Sequence, residues 1–311
     1  MWPATVGTGR DGNDTRSRSR PLLRAPEVVQ MRYDSAAVNL VEVDEMALRV
    51  VSVLAVALLI GVGAATVGSQ APTAPTREAV IDELIIANHI LANEGVLDGY
   101  GHVSVRSPQN REHFLLARAG APALVTAADI VEYDFDSNPI GGSGAAGYQE
   151  RFIHGEIYRA RPDVMAVIHC HCPEVIPFAN ASVALRPMYH MGYFIGEGVP
   201  LFDTRTGFGI TDMLISNPAL GKALAATLGK SSAALLRGHG AVVTATSLHL
   251  VVGKAYYLNL NARLQYQAMQ LGGGKVTYLD PEEARKAEQN YERSWDAWKA
   301  ALPAWMPATR R

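Results

Sequence analysis

The stretch AVIHCHCPEVIP, residues 166–177, constrains this chain more than any other. Only nine histidines and two cysteines occur in 311 residues, yet two of each fall at His169, Cys170, His171 and Cys172. The apolar run leading into them, VMAVI, is short and β-branched, the pattern of a buried strand. Residues two apart on a strand project to the same face, so His169 and His171 point together while Cys170 points away. Two imidazoles side by side chelate a divalent metal, and a catalytic site of that kind needs about three protein ligands with one position left open. A third donor must come from elsewhere in the chain. The cysteines are one residue apart, and the strained ring a bridge would close argues against a disulfide between them.

His239, in LLRGHGAVV, is the best third donor, because Gly238 and Gly240 permit backbone conformations that aim an imidazole into a cleft. Read alone it is a histidine in a glycine-rich turn; beside the His-x-His strand it completes a three-histidine metal set. Cys172 is a weaker alternative ligand. Acid/base candidates come from GYQERFIHGEIYRARPD, where Glu150 stands near a helix start that favours a carboxylate and His154 follows one turn later. A helix cap and a packing histidine are the bland alternatives for these two. The run Gly142-Ser143-Gly144-Ala145-Ala146-Gly147 fits G-x-G-x-x-G, but the segment some 20 residues on is the His-x-His strand rather than one ending in a ribose-binding acid. These glycines read as a mobile loop.

Organisation along the chain is that of one catalytic domain with extensions. Residues 1–45 read as a disordered or mis-annotated extension whose Arg-rich stretch RSRSRPLLR (16–24) is a solvated tail, and with a net charge of −2 nothing suggests nucleic acid. Residues 50–76 carry no charge, and their apolar centre follows Met46-Ala47-Leu48-Arg49. That is the shape of a signal peptide over 46–75 with translation starting at Met46; a membrane anchor and a core helix are the alternatives. The expectation is an exported protein, periplasmic or secreted. A linker, APTAPT, leads to a domain over 76–311. There a helix is predicted at about 77–93, strands at 102–106 and 113–118, a helical turn and strand in DIVEYDFDSNPI, and a helix at 149–160. The strand VMAVIHCH, a strand pair in SAALLRGHGAVV and long helices at about 248–271 and 281–301 follow, the last capped by Asp280. Strands interleaved with helices indicate a mixed α/β domain.

Taken together, GHVSVR, YQERFIHGEIYRARPDVMAVIHCHCP and LLRGHGAVV, in that order and spacing, resemble the class II aldolase/adducin family over about residues 77–275. The resemblance implies His169, His171 and His239 as ligands of a divalent metal, Zn2+ first with Mn2+, Co2+ or Mg2+ as alternatives, and Glu150 as the proton-transfer residue. It also implies a three-layer α/β/α fold with a largely antiparallel central sheet, and a homotetramer with active sites between subunits. Sugar-phosphate aldolases of the family carry an Asn where this chain has His102, a small-residue phosphate loop where it has LARAGAP, and a Ser-Ser pair where it has Tyr148-Gln149. Phosphate is therefore not the expected ligand.

FLLARAGAP, YQERFIHGEIY and RPMYHMGYFIGEGVPLFD look more like the family's decarboxylase branch, which acts on hydroxy-carboxymuconic semialdehyde or dihydroxyphthalate in aromatic catabolism. Arg118 then becomes a carboxylate clamp, because a guanidinium binds a carboxylate through two hydrogen bonds. His102 and Tyr148 join it as substrate-binding residues, and His190 is left between packing and function. Loss of carbon dioxide leaves electron density that a metal-coordinated oxygen can accept as an enolate. The expected protein is thus a metal-dependent carboxy-lyase for a small acidic molecule. An aldolase or epimerase for a sugar-derived substrate, and a non-catalytic adducin-like binding module, are the alternatives.

Overall fold

The computed structural model describes residues 75–142, 147–196 and 198–307. The expected extension and export leader, up to residue 74, and residues 143–146 of the glycine loop lie outside the described residues. No helix among the described residues is long and apolar enough to cross a membrane.

Seven strands form one sheet: β1 (His102–Arg106), β2 (His113–Ala117), β3 (Ile130–Asp134), β4 (Ala166–Cys170), β5 (Leu201–Phe202), β6 (Ala233–Leu236) and β7 (Gly240–Ala245). Their order is β3-β2-β1-β4-β7-β6-β5, and every pairing is antiparallel except β5 with β6. Every residue of β1, β4, β6 and β7 is buried, so both faces of the sheet centre are covered. The cover comes from helices α1 (Arg77–Asn93), α2 (Phe152–Ala160), α3 (Pro218–Leu228) and α4 (Leu248–Leu271). Helix α1 packs against β1 and α4, α4 against β4 and β7, and α2 against α3 and β4.

Local chemistry accounts for the helix boundaries. Thr76 and Ser247 accept backbone N–H groups at the starts of α1 and α4, and Asn217 does the same for α3 with Pro218 in the first turn. Leu84, Ile85, Ile90 and Leu91 of α1 are essentially inaccessible to solvent. Truncating one of the leucines to Ala costs about 2–5 kcal/mol. Helix α3 had no counterpart in the expected elements, although its Asn-Pro start is a legible cap.

Two expectations are corrected. The predicted helix at 281–301 is two helices, α5 (Pro281–Lys286) and α6 (Glu292–Ala300). They are separated by Tyr291, which takes a left-handed φ of 60° while its hydroxyl donates to the Met191 carbonyl. Burial of that ring against Gly253 overrides the continuous periodicity. The second correction concerns the cysteines, since Cys170 and Cys172 form a disulfide. Fully extended chain would hold residues two apart at about 6.6 Å. Strand β4 instead ends at Cys170, and the two Cα atoms are 5.2 Å apart, inside the range a disulfide spans.

Candidate metal centre

Strand register builds the site. His102 of β1 lies opposite His169 of β4, and β7 runs along the other side of β4 with Ala241 opposite Cys170. His239 sits in the turn between β6 and β7. Gly238 before it has φ +66°, and a Cβ on Gly240 would meet the Cys170 carbonyl oxygen at 2.0 Å. The two glycines thus let the turn bend sharply and press against the end of β4.

His171 has left the strand, yet its Nε2 lies 3.3 Å from Nε2 of His169 and 3.2 Å from Nε2 of His239. Glu150 reaches the same point from a kink between a 3-10 turn (Gln149–Arg151) and α2, where its φ and ψ are −90° and 16°. Its Oε2 is 3.4 Å from Nε2 of both His169 and His239, and its Oε1 accepts the backbone N–H of Ile215 at 2.8 Å. The structure therefore brings His169, His171, His239 and Glu150 together.

Their hydrogen bonds show that this set fits a cation. His169 Nδ1 donates to the Ala241 carbonyl at 3.2 Å and His171 Nδ1 donates to Asp98 Oδ2 at 3.0 Å. Both imidazoles, when neutral, then turn bare Nε2 lone pairs toward each other. Burial raises the Glu150 pKa, but the charge and hydrogen bonding of His169 and His239 outweigh it and hold the carboxyl below its ordinary range. Burial pushes His169 toward the neutral form. Three imidazole nitrogens and a carboxylate oxygen converging at such distances call for positive charge among them, carried by a proton or a metal cation. Two nitrogens each about 2.05 Å from a tetrahedral zinc ion lie about 3.3 Å apart, which is the spacing seen here. Asp98 is the oxygen partner that fixes the ring of His171, an outer-shell role sequence reasoning missed.

A cavity of 680 Å³ opens beside this cluster, lined among others by Tyr100, His102, Tyr148, Glu150, His171 and Leu214. His102 and Tyr148 form one wall, with ring centroids 4.4 Å apart. Tyr148 donates its hydroxyl to the Gly120 carbonyl, and burial pushes its pKa up to about 12, so it is a neutral phenol at physiological pH. Burial likewise drives His102 well below the ordinary histidine range. Arg118 is placed differently. Its exposed side chain lines an adjoining cavity of 170 Å³, with Nε paired to Asp129 Oδ1 at 2.5 Å. His190 is exposed, its ring 5.8 Å from that of Tyr189, and it does not line the main cavity. Cys172 is tied to Cys170 and is absent from the donor cluster.

A mostly antiparallel sheet that holds three imidazoles and a carboxylate at the edge of an open cavity is the layout of a divalent-metal site serving a small molecule. Residues 82–266 match the family described as Class II Aldolase and Adducin N-terminal domain. The chain is 36% identical over 236 residues to the decarboxylase tropJ of Talaromyces stipitatus, covering 68% of this chain and 89% of that protein. It is 33% identical to a 3,4-dihydroxyphthalate decarboxylase of Arthrobacter keyseri over 64% of this chain and 82% of the relative. Among solved structures, an L-fuculose 1-phosphate aldolase from Glaciozyma antarctica superposes with a TM-score of 0.61 at 24% identity, over 75% of this chain and 93% of that one. This chain belongs to the class II aldolase/adducin family. It is a class II aldolase-like lyase, and class II aldolases use a divalent metal, typically Zn2+.

Proposed function

We propose that this protein is a divalent-metal-dependent carboxy-lyase that removes a carboxyl group from a hydroxy-aromatic or hydroxy-keto acid. The observation that carries the reading is the cavity wall of His102 and Tyr148 beside the donor cluster. Two flat, uncharged ring systems suit an aromatic or enolic acid better than they suit a phosphate, which calls for cationic or clustered N–H donors. Relatives that share about a third of the sequence and are named as decarboxylases support the same choice.

His169, His171 and His239 would hold the cation, with Zn2+ favoured by the nitrogen-rich set and its spacing. When bound, the cation supplies Lewis acidity toward substrate oxygens. The carbon–carbon bond to the carboxylate breaks, carbon dioxide leaves, and a proton takes its place on carbon. Glu150 is the residue for that proton: its Oε1 is anchored by the Ile215 N–H, and its Oε2 faces the point where His169 and His239 meet. Arg118 serves as a clamp for a substrate carboxylate through the guanidinium nitrogens that Asp129 does not engage. A homotetramer with the cavity near a subunit contact is in keeping with the exposed Tyr100 at its edge. Export after cleavage of the leader is in keeping with the uncharged run at 50–76.

The test is incubation of the zinc-loaded protein with 3,4-dihydroxyphthalate and a panel of carboxyl-13C hydroxy-aromatic and hydroxy-keto acids, with labelled carbon dioxide measured. Metal-dependent release supports the reading. Formation of an aldehyde without carbon dioxide would replace it by aldol cleavage, and failure to take up any divalent metal would favour a binding module.

A further inference from the structure

His102 carries more structure behind it than a wall residue needs. Its Nδ1 lies 2.7 Å from Nε2 of His154, His154 Nδ1 lies 2.6 Å from Ser104 Oγ, and Ser104 Oγ lies 2.8 Å from the Tyr158 hydroxyl. All four residues are buried, with His154 and Ser104 fully inaccessible and Phe114 stacked over His154 at 6.1 Å. His102 Nε2 has no hydrogen-bond partner among the described residues, and the His102 ring faces the main cavity.

The chain of hydrogen bonds can run in two directions. If His102 donated from Nδ1, then His154 would donate to Ser104 and Ser104 to Tyr158, leaving the phenolic hydrogen of Tyr158 buried without an acceptor. A buried hydroxyl hydrogen without a partner is the costly arrangement. In the opposite direction Tyr158 donates to Ser104, Ser104 to His154 Nδ1, and His154 Nε2–H to His102 Nδ1. Every hydrogen is then used, and His102 is left with its proton on Nε2. In that direction each of the two rings has one accepting and one donating nitrogen, so both are neutral and each carries one proton.

We propose that the buried chain Tyr158–Ser104–His154 locks His102 as a neutral Nε2–H donor aimed into the cavity, which makes His102 the residue that selects substrates bearing an acceptor oxygen beside the metal ligands. Ser104, His154 and Tyr158 are positioning residues. A donor of fixed polarity rejects ligands that present a hydrogen at that point, because two donors would then face each other. The selection of an acidic oxygen rests on the carboxy-lyase reading; the polarity of His102 does not.

Two measurements on the full chain loaded with zinc test the assignment. Two-bond proton–nitrogen correlation spectra of 15N-labelled protein should show His102 and His154 both neutral with the hydrogen on Nε2. Calorimetric titration with 3,4-dihydroxybenzoate should show binding about tenfold weaker in His154→Met, with zinc affinity unchanged, and largely restored in His154→Gln, whose amide N–H can still donate to His102. The hydrogen on Nδ1 of His102, or a His154→Met protein that binds the probe as tightly as wild type, would overturn the proposal. A wild type with the expected hydrogen positions that neither binds the probe nor releases carbon dioxide from any acid tested would sink the substrate reading alone.

Discussion

Asp98→Asn separates the charge behind His171 from the contacts that hold its loop. Asp98 Oδ1 accepts the backbone N–H groups of Tyr100 and Gly101, and Oδ2 accepts the Nδ1–H of His171 at 3.0 Å. An asparagine oxygen can keep the two backbone contacts, so the loop stays in place while the carboxylate behind the ligand is lost. Outer-shell partners of this kind are worth about 10–100-fold in metal affinity, and because the Asp98 side chain is 48% exposed the effect belongs at the low end. A tenfold rise in the zinc Kd corresponds to about 1.4 kcal/mol. With metal well above either Kd, zinc-dependent stabilisation falls by that same amount, which lowers the Tm of the loaded protein by roughly 3–6 °C for a domain of this size. Competition with a chromophoric chelator gives the affinity, and calorimetric scans with and without zinc give the shift. The metal-free Tm should stay as in wild type. An unchanged zinc Kd, or a metal-free protein destabilised as much as the loaded one, would refute the role assigned to Asp98.

Other substitutions reach different parts of the molecule. Glu150→Gln should retain zinc and lose turnover by about 10²–10⁴-fold, read by metal analysis beside steady-state rates; normal turnover would remove Glu150 from the chemistry. Arg118→Ala should raise KM for carboxylated substrates and leave neutral analogues unaffected, and equal effects on both would count against a clamp. Gly240→Ala should destabilise by about 3 kcal/mol or more in chemical denaturation, since its Cβ would collide with the Cys170 carbonyl. Lys254 is buried, and desolvation lowers its pKa from 10.5 to about 8. The folded protein sheds this proton at lower pH than the unfolded chain, so unfolding takes up a proton between about pH 8 and 10.5. Lys254 therefore costs roughly 3 kcal/mol of stability below pH 8, and that cost disappears as pH rises toward 10.5. Lys254→Met should be more stable than wild type at pH 7 by an amount that shrinks over this window; a difference independent of pH would show that the shift is absent.

Much of this protein was legible without coordinates because its signals are local. The cap at Asp280 and the spacing of apolar residues are set within a few positions, and helices at Arg77–Asn93 and Leu248–Leu271 begin and end where the apolar spacing places them. The His-x-His strand and the glycine-flanked His239 announce a donor set by residue type alone. Which groups actually meet is a long-range matter. The pairing of His102 with His169, and the contacts of Asp98 with His171 and of His154 with both His102 and Ser104, join residues 50 to 73 positions apart through strand register and helix packing. No periodicity reports such meetings. The end of β4 at Cys170 shows the same division: alternation predicted a shared face for His169 and His171 with Cys170 turned away, and departure from extended geometry after Cys170 lets the cysteines join while His171 still turns to the cluster. The residue types fixed what chemistry this chain can perform; the sheet register decided which of those residues share a site, because only folding brings distant backbone positions within hydrogen-bond reach.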